Sequence, residues 1–345
     1  MSVMSGVSEF IGLDIGTTAV RVVELRGGGP VKQLYRYGAT PVDSRVAMSD
    51  APGDQQKLMQ VVRELMIEAK ISEKNVAVNV PSGRVFTTVF DIDKLSPSEL
   101  EKSIQLQADS LIPTPLSESK IDFEVIGDSP KEKGKVEVLL TSVTNGYVEK
   151  RLDALESIGL NVISFEPDNL ALARSLLAQN EQRAQMILDV GYKNTDLVIV
   201  SGGYPRLTRA IPTGSEAIIR AAAQNLSIED KQAEQFVFKF GLSKDKLEGQ
   251  IYNSISGTVD IIATEIEKSI KYFQQRYNTN LERIIVTGSA ATLPEFPLYI
   301  ANRFGINIEI GNAWRNVSYS KNQQQELMNL SSNFGVAVGL AERKE

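Results

Sequence analysis

The sequence predicts an α/β protein with a duplicated core. Runs of apolar β-formers alternate with stretches of helical periodicity along the whole chain, which is typical of this fold class. Two strand pairs also share a motif, in which an aspartate and a glycine two residues apart follow an apolar run and precede a second strand. These segments are Gly12-Leu13-Asp14-Ile15-Gly16-Thr17-Thr18 and Leu188-Asp189-Val190-Gly191. The repeated hairpin favours two related halves.

Composition limits the chemistry that the chain can perform. A chain of 345 residues is longer than one ordinary hydrophobic core accommodates, which predicts two or more domains. Its 42% hydrophobic and 23% charged residues are typical of a soluble globular protein. There is no cysteine and no histidine, which excludes disulfides, Cys/His zinc sites and Ser-His-Asp triads. A net charge of -6 argues against broad nucleic-acid binding.

Targeting signals are not evident. No apolar run approaches the roughly 20 residues that cross a bilayer, and residues 1–8 lack the charged start of a signal peptide. We expect residues 1–8 to be disordered and the chain to be cytoplasmic, with no direct insertion into the membrane.

The first elements form the first hairpin and its surroundings. Strands are predicted at 10–14, 19–25 and 31–40, and apolar residues at helical spacing predict a helix over 54–70. A short apolar strand over 75–80 then stops at Pro81-Ser82-Gly83.

Residues 83–161 have a different pattern and predict a compact α+β insertion. An alternating strand over 85–92 precedes Ser96-Pro97-Ser98-Glu99, which combines an N-cap, a proline at the first helical position and an early acid. That helix ends before Pro113. The remaining predicted elements are strands at 121–126 and 135–144, a helix at 147–157 and a strand at 161–166.

The second half returns to the first pattern. The predicted strands are 185–190, 196–201, 206–211, 283–287 and 307–310. The predicted helices are 170–178, 216–224, 228–240, 255–277, 294–304 and 333–341.

The two hairpin turns are candidate phosphate-binding sites. A tight turn rich in glycine and threonine can present several N–H groups as a concave nest for phosphate oxygens, and Mg²⁺ prefers carboxylate oxygens. We therefore expect Asp14 and Asp189 to face the metal, largely through water. The expected phosphate contacts are Asp14, Gly16, Thr17, Thr18, Asp189, Gly191, Asn194 and Thr195. Either turn alone also fits an ordinary hairpin.

A third segment ends a buried strand with small residues. In Ile284-Ile285-Val286-Thr287-Gly288-Ser289-Ala290-Ala291 the side chains after the strand are small enough for a flat purine to lie against the backbone. A tight strand-to-helix connection explains the same residues equally well.

Together these segments resemble the actin-like ATPase superfamily, which includes actin, Hsp70, the sugar kinases and the division protein FtsA. Within it the chain resembles the type IV pilus assembly protein PilM family, over about residues 9–344 and most specifically in segments 95–123 and 312–341. The resemblance implies an actin-like, RNase H-like fold of two lobes with duplicated mixed β-sheets. It further implies Mg²⁺ and ATP in a cleft between the lobes, and an FtsA-like 1C subdomain.

The resemblance also implies nucleoside contacts. They are Gly214, Ser215, Glu234, Gly288, Ser289 and Ala290. Glu234 belongs to Ala233-Glu234-Gln235-Phe236-Val237, where the family has a lysine at the position of Val237. This difference removes a donor, so we expect weaker nucleotide binding.

Domain boundaries follow from the same likeness. Domain 1A is expected to comprise 9–82, 162–201 and 325–345, with the 1C subdomain inserted as 83–161. Domain 2A is expected to comprise 202–225 and 255–324, with a small 2B subdomain at 226–254.

The implied function is that of a cytoplasmic ATP-binding adaptor of pilus assembly. Its 1C subdomain would receive the N-terminal cytoplasmic segment of a PilN-like inner-membrane protein, which would recruit the chain to the inner face of the membrane. Contacts with other platform or motor proteins and self-association would also fit. We find no residue that would orient an attacking water, so no catalytic residue is assigned and ATP hydrolysis is expected to be slow at most.

Two alternatives stay open. A division protein like FtsA would need a basic amphipathic helix at its end, and the chain ends in Gly339-Leu340-Ala341-Glu342-Arg343-Lys344-Glu345. A sugar kinase would need an aspartate base in a substrate cleft, and none stands out.

Overall fold

The structure, a computed structural model, describes residues 9–29 and 31–344. The predicted disorder of residues 1–8 lies outside this range. The chain divides into two compact units. Unit 1 runs up to Gln179 and includes Trp314–Gln324 and Val336–Glu345, and unit 2 comprises Asn180–Ala313 and Gln325–Gly335.

Strands and helices alternate in both units, as predicted. The strands are β1 (Ile11–Ile15), β2 (Ala19–Arg26), β3 (Lys32–Pro41), β4 (Asn75–Val80), β5 (Val85–Asp93), β6 (Ser119–Asp128), β7 (Lys135–Thr144), β8 (Asn161–Pro167), β9 (Gln185–Val190), β10 (Thr195–Ser201), β11 (Tyr204–Ile211), β12 (Arg283–Gly288), β13 (Asn307–Ile310) and β14 (Val317–Ser318). The α-helices are α1 (Ser44–Met48), α2 (Pro52–Glu68), α3 (Pro97–Leu111), α4 (Asn145–Ser157), α5 (Asp168–Leu176), α6 (Ser215–Leu226), α7 (Asp230–Phe240), α8 (Gln250–Tyr277), α9 (Phe296–Phe304) and α10 (Gln324–Ala341).

The two main sheets repeat one topology. Sheet order is β14-β3-β2-β1-β4-β8 in unit 1 and β11-β10-β9-β12-β13 in unit 2. In each sheet three antiparallel strands are followed by two parallel strands. Strand β1 pairs with β2 and β4 in the same way that β9 pairs with β10 and β12. The prediction of duplicated mixed sheets is confirmed.

Each main sheet is buried by helices of its own unit. In unit 1 the buried side chains of β1, β2 and β4 pack with α2, whose apolar face carries Leu58, Val62 and Leu65. In unit 2 the strands β9, β10 and β12 pack with α6, α8 and α9. Helix α8 supplies an apolar stripe at Ile255, Ile262 and other positions of helical spacing. The helical spacing of apolar residues over 54–70 therefore corresponds to the core face of α2.

Residues 85–144 surround a smaller core of their own. The three-stranded antiparallel sheet β5-β7-β6 is covered by α3, with Ile92, Ile104 and Leu140 buried between them. Helix α3 starts with a capping box, in which the Ser96 backbone N–H donates to the Glu99 carboxylate. The predicted insertion extended to 161, but Leu155 and Leu160 lie in the main core of unit 1.

The two compact units divide the chain differently from the predicted domains at several points. Residues 180–201, assigned to domain 1A, belong to unit 2, because β9 pairs with β12. Residues 325–335 also belong to unit 2, and 314–324 belong to unit 1, the reverse of the prediction. The expected 2B segment 226–254 has no separate core, since Ala233, Val237 and Ile251 join the core around α6 and α8.

Among the described residues, no helix combines the length and the apolar character that crossing a bilayer requires.

Candidate functional site

The first predicted phosphate turn connects β1 to β2 in unit 1. The turn is closed by a hydrogen bond from the Gly16 backbone N–H to the Ala19 carbonyl oxygen at 3.1 Å. Gly16 and Thr17 are half-buried and Thr18 is exposed. The turn therefore offers polar groups at the surface of unit 1, next to the buried end of β1.

Asp14 precedes this turn and already has a cationic partner. It is 5% exposed and lies opposite Arg21 in the hairpin, whose Nη1 is 3.2 Å from its Oδ2. Burial raises the pKa of the Asp14 carboxyl above its ordinary value, and the Arg21 guanidinium opposes that shift. A charge predicted to face Mg²⁺ is thus neutralised within unit 1.

Arg21 also lies against the turn itself. A Cβ atom added to Gly16 would stand 3.1 Å from Arg21 Nη1 and 3.0 Å from the Ala19 carbonyl oxygen. The guanidinium is therefore a candidate phosphate contact that our reading of the sequence missed. Its position opposite Asp14 in the predicted hairpin was the available signal, because cross-strand neighbours share one face of a sheet.

The second predicted turn connects β9 to β10 in unit 2. The Gly191 backbone N–H donates to the Asn194 carbonyl oxygen at 2.9 Å, which matches the closure of the first turn. Here Asp189 lies opposite Asp196, so two carboxylates take the places that Asp14 and Arg21 hold in unit 1. Like charges directly opposite in a sheet repel each other. The two hairpins therefore differ in the residue types that face each other before the turn.

Thr195 and Lys193 of this turn are held by neighbouring residues. Thr195 is fully buried, and its hydroxyl donates to the Thr213 carbonyl oxygen at 2.7 Å. The Thr195 hydroxyl is therefore already engaged in a hydrogen bond within unit 2. Lys193 forms an ion pair of 2.7 Å with Glu216 on α6.

Five of the predicted nucleoside residues gather around the second turn. The Ser215 backbone N–H donates to the Gly191 carbonyl oxygen at 2.9 Å, and the Ser289 hydroxyl donates to the Val190 carbonyl oxygen at 2.7 Å. A Cβ added to Gly214 would lie 2.6 Å from that Gly191 oxygen, so only glycine fits there. These residues therefore lie close to the second turn.

Gly288 and Ala290 complete this group. Gly288 has a φ of 73°, and a Cβ there would collide with the Asp189 carboxylate. It therefore needs glycine for two reasons, its backbone conformation and its closeness to Asp189. Ala290 is buried in the core of unit 2.

Glu234 lies apart from these residues in the sequence, on the exposed face of α7. Val237, the residue that replaces the family lysine, is 1% exposed and packs in the core of unit 2. The substitution thus fits an apolar environment, in which an unpaired ammonium would be costly.

Two further polar residues near the first turn were missed. Asn79 at the end of β4 binds the backbone of Ile15 and the carboxylate of Asp168. Both partners are distant in sequence, so no local pattern predicts these contacts.

A second candidate surface lies on the small sheet of unit 1. Strand β6 is an edge strand, and Phe123 and Val125 on it are 37% and 40% exposed. Leu106 and Leu111 of α3 are also exposed. Unpaired strand edges with exposed apolar side chains are common sites of peptide addition.

Comparisons with known proteins agree with this architecture. The family model described as type IV pilus assembly protein PilM matches residues 12–345. A solved PilM-PilN type IV pilus biogenesis complex contains a chain with a TM-score of 0.83 and 23% identity, covering 96% of this chain and 97% of that one.

Two further solved structures share the fold. The ethanolamine utilization protein EutJ from Carboxydothermus hydrogenoformans has a TM-score of 0.58 and 15% identity, covering 96% of this chain and 88% of that one. MreB 5 of Spiroplasma citri bound to AMPPNP has a TM-score of 0.54 and 14% identity, covering 96% and 94%. The predicted actin-like fold is confirmed.

Proposed function

The chain belongs to the type IV pilus assembly protein PilM family, and from this we propose that it is an actin-like, nucleotide-binding adaptor of the pilus assembly machinery. One observation supports nucleotide binding above the others. Each unit ends a central strand in the same closed Asp-x-Gly hairpin turn, on the same sheet topology. Two unrelated hairpin turns would not be expected to share the Asp-x-Gly motif, the closing hydrogen bond and the position in the sheet.

The proposed ligand is ATP with Mg²⁺. The proposed phosphate contacts are those predicted from the sequence except Thr195, whose buried hydroxyl already donates to Thr213. Arg21 is added because its guanidinium lies beside Gly16. Asp14 and Asp189 are the proposed metal-facing carboxylates.

Hydrolysis is proposed to be slow at most. Phosphoryl transfer to water needs a residue that orients the attacking water, and no residue is assigned that role. In a steady-state phosphate-release assay we expect less than about one turnover per minute, because positioning and electrostatics supply most of the catalysis in such reactions. Clearly faster release would contradict this part of the proposal.

The proposed partner is the N-terminal cytoplasmic segment of a PilN-like inner-membrane protein. The solved complex named above contains PilM together with PilN. On this chain we propose the small sheet and α3 of unit 1 as the docking region, since Phe123, Val125 and Leu106 are exposed there. Binding would recruit the chain to the inner face of the membrane. Further contacts with platform or motor proteins and self-association are compatible with this role.

The decisive experiment on nucleotide binding uses the purified chain. Nucleotide released on denaturation is identified by mass spectrometry, with and without Mg²⁺, for the wild type and for Asp14→Ala and Asp189→Ala. Exposed aspartates of each unit, Asp153 and Asp245, give matched alanine controls. We expect ATP or ADP in the wild type and in the controls, and reduced occupancy in both site variants. Wild-type occupancy in both site variants would reject the assignment.

Partner binding is tested separately. A labelled peptide of the cytoplasmic start of a PilN-like protein should bind the wild type, and Phe123→Ser should weaken binding about tenfold, since a buried aromatic residue contributes strongly to an interface. Ile67→Ser is the control, because Ile67 is 68% exposed on α2. No binding to the wild type at high micromolar peptide would reject the partner.

A further inference from the structure

The residue between the aspartate and the glycine is held in the same manner in both hairpins. In unit 1 the Ile15 backbone N–H donates to Asn79 Oδ1 at 2.7 Å, and Asn79 Nδ2 donates to the Ile15 carbonyl oxygen at 3.4 Å. In unit 2 the equivalent Val190 carbonyl oxygen accepts a hydrogen bond of 2.7 Å from the Ser289 hydroxyl. Each side chain comes from the end of the neighbouring parallel strand or from the residue just after it.

Asn79 acts where the sheet ladder stops. The parallel pairing of β1 with β4 ends at Leu13 and Val78, so the backbone of Ile15 lies beyond it. The Asn79 amide supplies one acceptor and one donor to Ile15, which extends the ladder through a side chain. The backbone that leads into Gly16 is thereby fixed by β4.

Asn79 is in turn held by Asp168. Its Nδ2 donates to Asp168 Oδ1 at 2.9 Å, and Asp168 is the first residue of α5. Asn79 is 3% exposed, so its amide is fixed in a dry environment in which a hydrogen bond to a carboxylate is strong. The first turn is connected in this way to β4 and to α5.

We propose that Asn79 is a positioning residue for the first phosphate turn and that Asp168 orients it. Asn79 holds the Ile15 backbone, so that the amides of Gly16 and the following residues keep the geometry that a phosphate requires. This inference rests on the proposed nucleotide binding. The alternative is a purely structural role, in which Asn79 is only a hydrogen-bonded polar group of the core. The test must distinguish this role from the positioning role.

The test exchanges the two polar groups. Asn79→Asp places two carboxylates at hydrogen-bonding distance, where they repel, and removes the donor to Ile15. The double variant Asn79→Asp with Asp168→Asn restores an amide–carboxylate pair in the opposite order, and the carboxylate introduced at position 79 can still accept from the Ile15 backbone N–H. Asn75→Asp is the control, since Asn75 is on the same strand and its Nδ2 donates to the Glu9 carbonyl oxygen at 3.3 Å in a half-exposed place.

Two readouts are compared on the full chain, the Kd for Mg-ATP and the hydrogen–deuterium exchange of the peptide 12–20 without nucleotide. We expect Asn79→Asp to weaken Mg-ATP binding roughly tenfold, the effect of one lost charge-assisted hydrogen bond, and to speed exchange in this peptide. The double variant should recover most of the affinity for Mg-ATP and most of the protection of peptide 12–20 from exchange. Asn75→Asp should match the wild type in both readouts.

The outcomes separate the inference from the proposed function. If the wild type binds no nucleotide, the proposed function fails and the inference fails with it. If the wild type binds but Asn79→Asp binds equally well, or the double variant is no better than the single one, the inference alone is overturned. Loss of thermal stability with unchanged exchange in peptide 12–20 would assign Asn79 a structural role, which also overturns it.

Discussion

Asp14 and Arg21 form the charged pair on which the first turn depends. The side chains of Asp14 and Arg21 are 7% and 16% exposed, so neither is well solvated. Charges in such a place are stabilised chiefly by each other, and removing one partner leaves the other buried and unpaired. The ionisation of the Asp14 carboxyl therefore depends on the Arg21 guanidinium as well as on burial.

Arg21→Gln should destabilise the chain in a pH-dependent way. The pKa of Asp14 is already raised by burial, and loss of the arginine should raise it further. A carboxyl with a raised folded-state pKa stabilises the fold at low pH, and this contribution is lost as the pH rises through that pKa. We expect a deficit of about 3 kcal/mol near neutral pH that shrinks towards pH 4 in urea unfolding.

The control for this variant is Arg45→Gln. Arg45 forms an ion pair with Asp43 in which the arginine side chain is 90% exposed, and such pairs contribute about 0–1 kcal/mol. An equal effect of both variants, or a deficit at Arg21 that does not change with pH, would contradict the argument.

Glu342, just after α10, gives a second pH effect. Burial raises the pKa of its carboxyl to about 8, although the charges of Arg174 and Lys32 and a hydrogen bond from Asn316 oppose the shift. The unfolded chain releases this proton near pH 4.5, so the folded chain binds the extra proton between these values. Its contribution to stability is therefore lost as the pH rises through about 8.

Glu342→Gln should remove this pH dependence. Relative to the wild type, the free energy of unfolding of the variant should rise from pH 5 to about pH 8 and level off above that, as measured by urea unfolding. Glu101→Gln replaces an exposed carboxylate and should leave the profile unchanged. Parallel profiles for the wild type and Glu342→Gln would show that Glu342 ionises normally in the folded chain.

Helix α10 shows why small residues are placed near the end of the chain. A Cβ added to Gly12 of β1 would stand 2.7 Å from the Ala341 backbone nitrogen, and one added to Gly339 would stand 2.5 Å from the Ala171 carbonyl carbon on α5. The last turns of α10 therefore contact β1 and α5 backbone to backbone, within unit 1. This explains the glycine and alanine content better than helix propensity, which glycine lowers.

Gly339→Ala should destabilise unit 1 by overpacking. The added methyl group would collide with the Ala171 carbonyl group, and insertion of one methyl group into a filled space typically costs about 1–3 kcal/mol. Gly53→Ala is the matched control: it also lies in a helix, but has no neighbour within 4 Å of the added Cβ. It should be neutral or stabilising by up to about 1 kcal/mol in chemical denaturation.

Elements that depend on local pattern could be predicted from the sequence, and those that depend on distant partners could not. The hairpins at Asp14 and Asp189 combine an apolar run with a tight turn, which is local information. The pairing of β9 with β12 joins residues about a hundred positions apart, so no local pattern showed that residues 180–201 fall in the same compact unit as β12. Asn79 likewise meets Ile15 and Asp168 across 64 and 89 positions.

The chain as a whole repeats one architectural unit with different chemistry. Apart from the additional edge strand β14 in unit 1, both main sheets have the same strand order and directions, and both carry a closed turn after their first strand. The cross-strand pair before the turn is Asp14 with Arg21 in one unit and Asp189 with Asp196 in the other. The duplication therefore preserves the closed turn, while the residues that face each other before it differ between the two units.

Mg-ATP should stabilise the folded chain and protect both turns. A ligand that binds only the folded state at 100 times its Kd raises the free energy of unfolding by about 2.7 kcal/mol, which a thermal shift assay detects. Hydrogen–deuterium exchange should slow in peptides covering both 12–20 and 188–196, because each turn would lose free amides to phosphate oxygens. Protection of only one of the two peptides would show that the other turn is an ordinary hairpin, and the duplicated motif would then have kept its shape without its proposed role.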